Sequence, residues 1–311
     1  MIDTLTIGIR FALYVNLMLL FGLPLFGLYG LKGPERQQDN VLPFRLMTVW
    51  LSATAILLSV LSIFAMTASM AGVELLQVDR ASVDMMIYET PMGNAWAARI
   101  AALVVTLTVA IAIGGRKTTL WLALVSVGSA GALASLAWTG HGAASDGIAG
   151  TRHLIADIVH LLAAGAWFGA LVALGGLLFR PAGTMPDEHL QLTYRALEGF
   201  SVIGTVIVAL ILVSGLVNSW VLVGPSHLLS MATSLYGQLL IAKLALFGLM
   251  LGLAAANRFR LTPAFHQEIE RGGIVPAISR LRLSVIYETT AALAILALVA
   301  WLGTLEPPMS M

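Results

Sequence analysis

Long apolar runs separated by short polar segments dominate the sequence. A helix needs about 20 predominantly apolar residues to cross a bilayer. Amphipathic helices and strands do not produce such runs, because their apolar residues alternate with polar ones. The runs predict eight spanning helices, at approximately Ile9–Leu31, Leu46–Ala71, Ala95–Ile113, Thr118–Thr139, Leu154–Phe179, Leu197–Val223, Gly237–Ala256 and Leu283–Thr304. The pattern therefore predicts an all-α transmembrane bundle, and we expect residues 1–311 to form a single integral membrane domain.

Composition supports a lipid environment and excludes several classes of protein. Hydrophobic residues make up 59% of the 311 residues and charged residues only 11%, whereas soluble domains contain about 25% charged residues. This composition excludes a soluble enzyme, and we expect no enzymatic activity. We also expect no nucleic-acid partner, because the sequence lacks the basic stripe that such proteins carry. We also expect no nucleotide, because none of the lysines has the glycine spacing of a phosphate-binding loop.

The distribution of Lys and Arg predicts the orientation of the bundle. The loops after odd-numbered helices contain 12 of these residues, and the loops after even-numbered helices contain three, namely Arg80, Arg99 and Arg152. Cytoplasmic loops carry the excess of positive charge. Both termini are therefore expected in the periplasm, and the protein in a bacterial inner membrane.

Small residues recur at the spacing typical of close helix contacts in membranes. Gly165–Gly169 and Gly248–Gly252 each have two glycines four residues apart. Such pairs allow two backbones to approach closely where no hydrophobic force drives association. Both segments are expected to pack against neighbouring helices.

Three histidines and an aspartate lie close together in the sequence around the loop between helices four and five. His153, Asp157 and His160 are separated by four and three residues, which places them on one face of a helix. His141 lies at the same side of the membrane. Imidazole suits copper, zinc, iron and nickel, and a carboxylate can bind the metal or orient a ring. The pattern predicts a metal-capture site, although separate interfacial partners for each side chain remain the alternative.

Methionines form a second group on the same side of the membrane. Because the chain has no cysteine, soft-metal binding would depend on His and Met. Thioethers prefer Cu(I), although Met is also a flexible packing residue. We expect Met85, Met86 and Met92 in the second loop to be exposed copper ligands. Met66 and Met70, on one face of helix two, are secondary candidates.

Three further polar residues lie inside or at the ends of predicted helices, where the bilayer makes them costly. Lys243 is expected at a depth similar to that of His160, with Asp157 as its partner. Glu288 and Asn257 lie toward the other side of the membrane. We expect this second pair to hold helices together rather than to bind a metal.

Several segments in a fixed order resemble one known family. They are Thr90–Arg99, Gly140-His141, Asp157–Gly169, Phe200-Ser201, Tyr236–Lys243, Asn257–Pro263 and Glu288. Together they resemble the copper resistance protein D (CopD/PcoD) family of bacterial inner-membrane proteins, most strongly over residues 90–307.

The resemblance implies a function, a cargo and a partner. The cargo would be a copper ion, Cu(I) or Cu(II), taken from the periplasm toward the cytoplasm through a His/Met/Asp capture site. The expected partners are the lipid bilayer and a separate periplasmic copper-binding protein of the CopC type. Two alternatives remain open. One is a redox protein with a b-type haem held by His141 and either His153 or His160, and the other is a copper-binding membrane sensor or assembly protein.

Overall fold

The computed structural model describes residues 2–37, 41–112, 118–139, 147–180, 185–223, 233–271 and 274–305. Its long helices are α1 (Ile2–Gly30), α2 (Phe44–Ala71), α4 (Pro91–Ala112), α5 (Thr118–Ala134), α6 (Gly147–Leu178), α7 (Asp187–Val223), α8 (Leu235–Ala256) and α10 (Ile274–Leu302). Two shorter helices are α3 (Arg80–Glu89) and α9 (Thr262–Arg271). A π-helical turn, Asn257–Leu261, joins α8 to α9. No strand occurs in these ranges.

The predicted all-α bundle is confirmed. Eight helical segments in the described ranges are long and apolar enough to cross a membrane. Because the number of crossings is even, α1 begins and α10 ends on the same side of the bundle. We call this side the terminal face and the other side the opposite face.

Several helices extend beyond the apolar runs that predicted them. Helix α7 begins at Asp187 rather than near Leu197, so His189 and Arg195 lie in a helix and not in a loop. Helices α3 and α9 are too short to cross a bilayer, and a search for apolar runs therefore misses them. The Asp79 side chain caps α3 by accepting a hydrogen bond of 2.7 Å from the backbone N–H of Ser82. Capping of α3 and the amphipathic pattern of α9, rather than a long apolar run, account for these two helices.

Helices α1 and α6 form the centre of the bundle. The apolar windows of these two helices are 67% and 72% buried, against 17% for the windows of α7 and α8. The two central helices cross where Gly22 of α1 faces Gly169 of α6. A Cβ atom on Gly22 would lie 2.7 Å from the Cα atom of Gly169, which is closer than two carbon atoms can approach.

The second pair of glycines does not make such a contact. A Cβ atom on Gly248 or Gly252 would meet no other atom within 4 Å. The prediction of close packing is therefore confirmed for Gly165–Gly169 and wrong for Gly248–Gly252. Glycine spacing identifies a helix face on which contact is possible, but only the neighbouring helix decides whether contact occurs.

Helices α7 and α8 follow one another in the chain but pack on different partners. Helix α7 packs along α6, and α8 packs along α10. A cleft is left between α7 and α8, and α6 forms its floor. This cleft contains three of the cavities described below.

An ion pair stabilises the opposite face. The Arg195 side chain lies 2.5 Å from Glu35, which follows α1. Glu35 also accepts a hydrogen bond of 2.7 Å from the backbone N–H of Lys32. Burial alone would raise the pKa of Glu35, but these two interactions outweigh burial and hold the pKa below its ordinary value. Glu35 therefore stays ionised and ties α7 to the end of α1.

Candidate functional site

A polar cavity of about 170 Å³ lies near the terminal face. His153, Asp157 and His160 of α6 all line it, as their spacing on one helix face predicts. We call it the histidine cavity. Its other polar residues come from three further helices and are Arg10, Tyr14, Asn218, Ser219, Tyr236 and Lys243. The bundle thus surrounds the charged face of α6 with side chains from α1, α7 and α8.

Hydrogen bonding determines which nitrogen of His160 can bind a metal. The His160 Nδ1 atom lies 3.0 Å from the Ser214 Oγ atom. Ser214 donates its own hydroxyl hydrogen to the carbonyl oxygen of Leu210 at 2.5 Å, so its oxygen accepts from His160. With Ser214 as the acceptor, a neutral His160 ring would carry its proton on Nδ1 and would leave the Nε2 lone pair for a ligand. The sequence analysis missed Ser214, because serines are common in membrane helices.

Asp157 and Lys243 interact across the cavity without forming an ion pair. The Asp157 carboxylate accepts a hydrogen bond of 3.3 Å from the Asn218 side-chain amide. The Lys243 ammonium attracts the carboxylate electrostatically. No Lys, Arg or His nitrogen of the described residues lies within 4.0 Å of this carboxylate. The Asp157 carboxylate is therefore hydrogen-bonded to the Asn218 amide, and Lys243 lies farther from it than an ion-pair distance.

Of the two remaining histidines in the predicted cluster, the structure places one in the cavity and does not describe the other. His153 is buried against the same cavity, at 2% exposure. His141 lies outside the described residues. Within the described ranges, no group of three or more His, Asp or Glu side chains is arranged to hold a metal ion. The cavity brings candidate ligands together, but not at coordination distance.

The five candidate methionines do not line the histidine cavity, although Met18 of α1 does. Met85 and Met70 are exposed. Met86 is buried, contrary to the prediction of an exposed ligand, and its sulfur accepts a long hydrogen bond of 3.7 Å from Thr90. Met66 and Met92 line a separate small cavity. Residue type alone could not distinguish the packed methionines from the exposed ones, because a thioether suits both packing and metal binding.

The small cavity contains two arginines that the sequence analysis did not interpret. Arg10 of α1 and Arg99 of α4 both line it, and we call it the arginine cavity. The charge count placed Arg99 in a loop, which is wrong, because Arg99 lies inside α4 at 1% exposure. An arginine within an apolar run was the available signal, since such residues are rare in spanning helices.

Two larger cavities follow the cleft between α7 and α8 from the terminal toward the opposite face. The first has a volume of about 310 Å³, is mostly apolar, and shares His160 and Lys243 with the histidine cavity. The second, about 220 Å³, is lined by Asn257 and Glu288. Trp167 lines both, and its ring packs edge-on against Phe247 with centroids 6.1 Å apart. Trp167 thus separates a terminal-face half of the cleft from an opposite-face half.

Glu288 and Asn257 contact each other, as expected for residues that join helices. The Asn257 amide donates a hydrogen bond to the Glu288 carboxylate and so links the end of α8 to α10. Glu288 is almost completely buried, at 1% exposure. Asn257 begins the π-helical turn, a distortion that is frequent at functional sites.

Glu288→Gln is expected to retain folded yield and most copper transport. A glutamine oxygen at this position still accepts the Asn257 hydrogen bond, whereas Glu288→Leu leaves a buried amide without a partner, at a cost of about 1–3 kcal/mol. Thermal unfolding and copper flux of both variants in proteoliposomes check this expectation, with the exposed Glu89→Gln as control. Loss of flux in Glu288→Gln at normal folded yield would instead show that the carboxylate binds the ion and does not only join helices.

This chain is similar to known proteins along nearly its whole length. A family model described as "Copper resistance protein D-like, N-terminal domain" matches residues 1–151, and one described as "Copper resistance protein D" matches residues 194–302. The match includes the first two helices, which the recognised motifs did not cover. No solved structure matches the chain.

Three relatives show the range of this similarity. Copper resistance protein D of Pseudomonas syringae pv. tomato is 48% identical over 99% of this chain and 98% of its own length. Inner membrane protein YebZ of Escherichia coli (strain K12) is 27% identical over 97% of this chain and 98% of its own. Copper transport protein CutJ of Bacillus subtilis (strain 168) is 32% identical over 57% of this chain and 32% of its own.

Proposed function

The chain belongs to the copper resistance protein D family and is a multi-pass inner-membrane protein, and from this premise we propose that it carries copper ions from the periplasm toward the cytoplasm. The histidine cavity is the observation that supports the proposal most directly. A hydrated copper ion cannot enter hydrocarbon with its water shell, and buried charges need partners there. Imidazole and carboxylate ligands inside the bundle can replace that shell.

In the proposed capture site, His160 binds copper through Nε2, and Asp157 and His153 complete the ligand set with His141. The Ser214 hydrogen bond holds the His160 ring in the required tautomer. Met85 is exposed near the terminal face and can collect the ion before it enters the cavity. Met86 and Met92 are less suitable, because Met86 is packed and Met92 lies with two arginines.

Positive charges around the cavity bear on the oxidation state of the cargo. Arg10 and Lys243 both line it, and Asp157 is its one carboxylate among the described residues. Coulomb repulsion from the two cations is half as large for a monovalent ion as for a divalent one. The arrangement therefore favours Cu(I). Copper bound to Asp157 also replaces Lys243 as the positive partner of the carboxylate. Lys243 competes with the ion for Asp157 and so assists its release.

We propose that the ion then follows the cleft between α7 and α8. The histidine cavity and the apolar cavity share His160 and Lys243, and the cleft continues past Trp167 to the cavity at Glu288. Movement of the Trp167 and Phe247 rings would open the constriction between the two halves. A separate CopC-type protein would deliver copper at the terminal face.

Copper flux into proteoliposomes tests the proposed transport. The purified protein is reconstituted around a copper-sensitive dye, and Cu(I) is added outside under reducing conditions. We expect dye response well above that of protein-free vesicles. Copper binding without flux would favour the sensor or assembly alternative, and a Soret band in the absorption spectrum of the purified protein would favour the haem alternative.

The terminal face is expected to lie in the periplasm. This orientation follows from the excess of Lys and Arg in the loops after odd-numbered helices. A reporter enzyme that is active only in the periplasm, fused after Met311, should be active. A cytoplasm-active reporter at the same position is the matched control. The reverse result, with both fusions well expressed, would invert the bundle and the proposed direction of uptake.

A further inference from the structure

Two arginines, Arg10 on α1 and Arg99 on α4, line the arginine cavity, which has a volume of about 40 Å³. Arg10 lies about 9 Å along α1 from the start of its apolar segment at Thr4, and Arg99 about 12 Å along α4 from Pro91, at a rise of about 1.5 Å per residue. Both are thus a few turns below the terminal face. The polar part of the lining also includes Thr6, Tyr14, Ser62, Trp96 and Thr139.

The hydrogen bonds of Arg99 leave part of its guanidinium group without a partner. Its Nε atom donates to the Ser135 Oγ atom at 2.8 Å. Its Nη2 atom is buried and has no acceptor. The Nε atom of Arg10 is likewise buried without an acceptor. A buried polar group that lacks a hydrogen bond is costly, and an ionised one is more so.

The charges of the two arginines are not compensated either. Neither forms an ion pair with a carboxylate of the described residues, and both line the same cavity. A buried charge is normally paired, because removing it from water costs several kcal/mol. The arginine cavity therefore has unused donors, excess positive charge and space between α1 and α4.

We propose that the arginine cavity binds a phosphate-type oxyanion that bridges Arg10 and Arg99. A guanidinium group presents its N–H donors in a planar fork that matches the oxygens of phosphate. Tyr14 supplies a hydroxyl donor at the same cavity. The anion is either inorganic phosphate or the phosphate of a lipid headgroup, since both offer the same oxygens to the two guanidinium groups.

A consequence follows for the neighbouring histidine cavity, because Arg10 lines both cavities. An anion on Arg10 lowers the positive potential that a cation meets on entering the histidine cavity. The anion site itself does not depend on the proposed copper transport, since it rests on the two arginines alone. Failure of copper flux would therefore leave it unaffected.

Thermal unfolding of delipidated protein in a neutral detergent tests the anion site and its source. One series adds inorganic phosphate against sodium chloride at equal ionic strength, and a second adds short-chain phosphatidylglycerol against the matching diacylglycerol. We expect one probe to raise the unfolding midpoint of the wild type. A response to inorganic phosphate indicates a free anion, and a response to phosphatidylglycerol alone indicates a lipid headgroup.

Variants show whether the effect arises in the arginine cavity. Arg99→Gln and Arg10→Gln should each weaken the response about tenfold or more in probe concentration, as expected for loss of charged hydrogen bonds. Arg80→Gln, an exposed arginine paired with Asp84 on α3, should respond as the wild type does. If Arg99→Gln does not fold, Arg10→Gln, which is less buried, decides the test. Stabilisation of the wild type by neither probe, or equal responses in the cavity variants, would overturn the proposal.

Discussion

Replacing His160 by alanine is expected to weaken copper binding by at least about 100-fold. Loss of a residue that only orients a metal ligand typically costs 10–100-fold in affinity, and loss of the ligand itself should cost more. The His160 Nδ1 atom lies 3.0 Å from the Ser214 Oγ atom, a contact that can orient the ring so that Nε2 faces the ion. Titration of Cu(I) into the purified protein in detergent, against a competing chelator, measures the change.

Two further variants separate coordination from orientation. Ser214→Ala removes the hydrogen-bond acceptor of His160 Nδ1 but no metal ligand, so it should cost about 10–100-fold. Asp157→Asn keeps an oxygen and loses the charge, and we expect an effect between those of Ser214→Ala and His160→Ala. This order of effects follows from the contacts of each side chain within the histidine cavity.

His266 provides the matched control for His160. It lies on α9 at the opposite face and its ring stacks on Tyr194 with centroids 4.3 Å apart. His266→Ala should bind copper as the wild type does. His189 is less suitable, because its Nε2 atom is hydrogen-bonded to the carbonyl oxygen of Leu177 and its replacement would disturb α7. Equal affinities of wild type and His160→Ala would remove His160 from the site.

The largest loss of stability is expected from Gly169→Ala at the centre of the bundle. A Cβ atom at this position would lie 2.8 Å from the backbone nitrogen of Leu23 in α1. Because the obstacle is backbone rather than a flexible side chain, α1 and α6 must move apart. Overpacking of a core typically costs about 1–3 kcal/mol, and here it also loosens the helix that carries His153, Asp157 and His160.

Gly252→Ala is the matched control for this change. It introduces the same methyl group into a spanning helix, at a position where no atom lies within 4 Å. Since alanine has the higher helix propensity, the variant should be as stable as the wild type or slightly more stable. Unfolding midpoints in detergent compare the two variants. Equal midpoints would show that α1 and α6 do not approach at Gly22 and Gly169.

The agreement between sequence and structure is greatest where a single helix decides the outcome. Apolar length placed eight spanning helices, and the spacing of His153, Asp157 and His160 placed them on one face of α6 toward one cavity. Both inferences need only the 3.6-residue period and the thickness of a bilayer. Helices α3 and α9 fall outside this reasoning, because neither has a run long enough to cross a membrane.

The sequence alone predicted the eight spanning helices and the family, and both predictions are confirmed. Tertiary structure decided which of the candidate copper ligands share a cavity. Met86 is packed while Met85 is exposed, and Met92 lies beside Arg99 rather than beside His160. Likewise Gly169 contacts α1, whereas a Cβ atom on Gly252 would meet no atom of another described helix within 4 Å. The physical reason is common to both cases: the helical period assigns a residue to a face of its own helix, but the neighbour of that face depends on how all the helices pack.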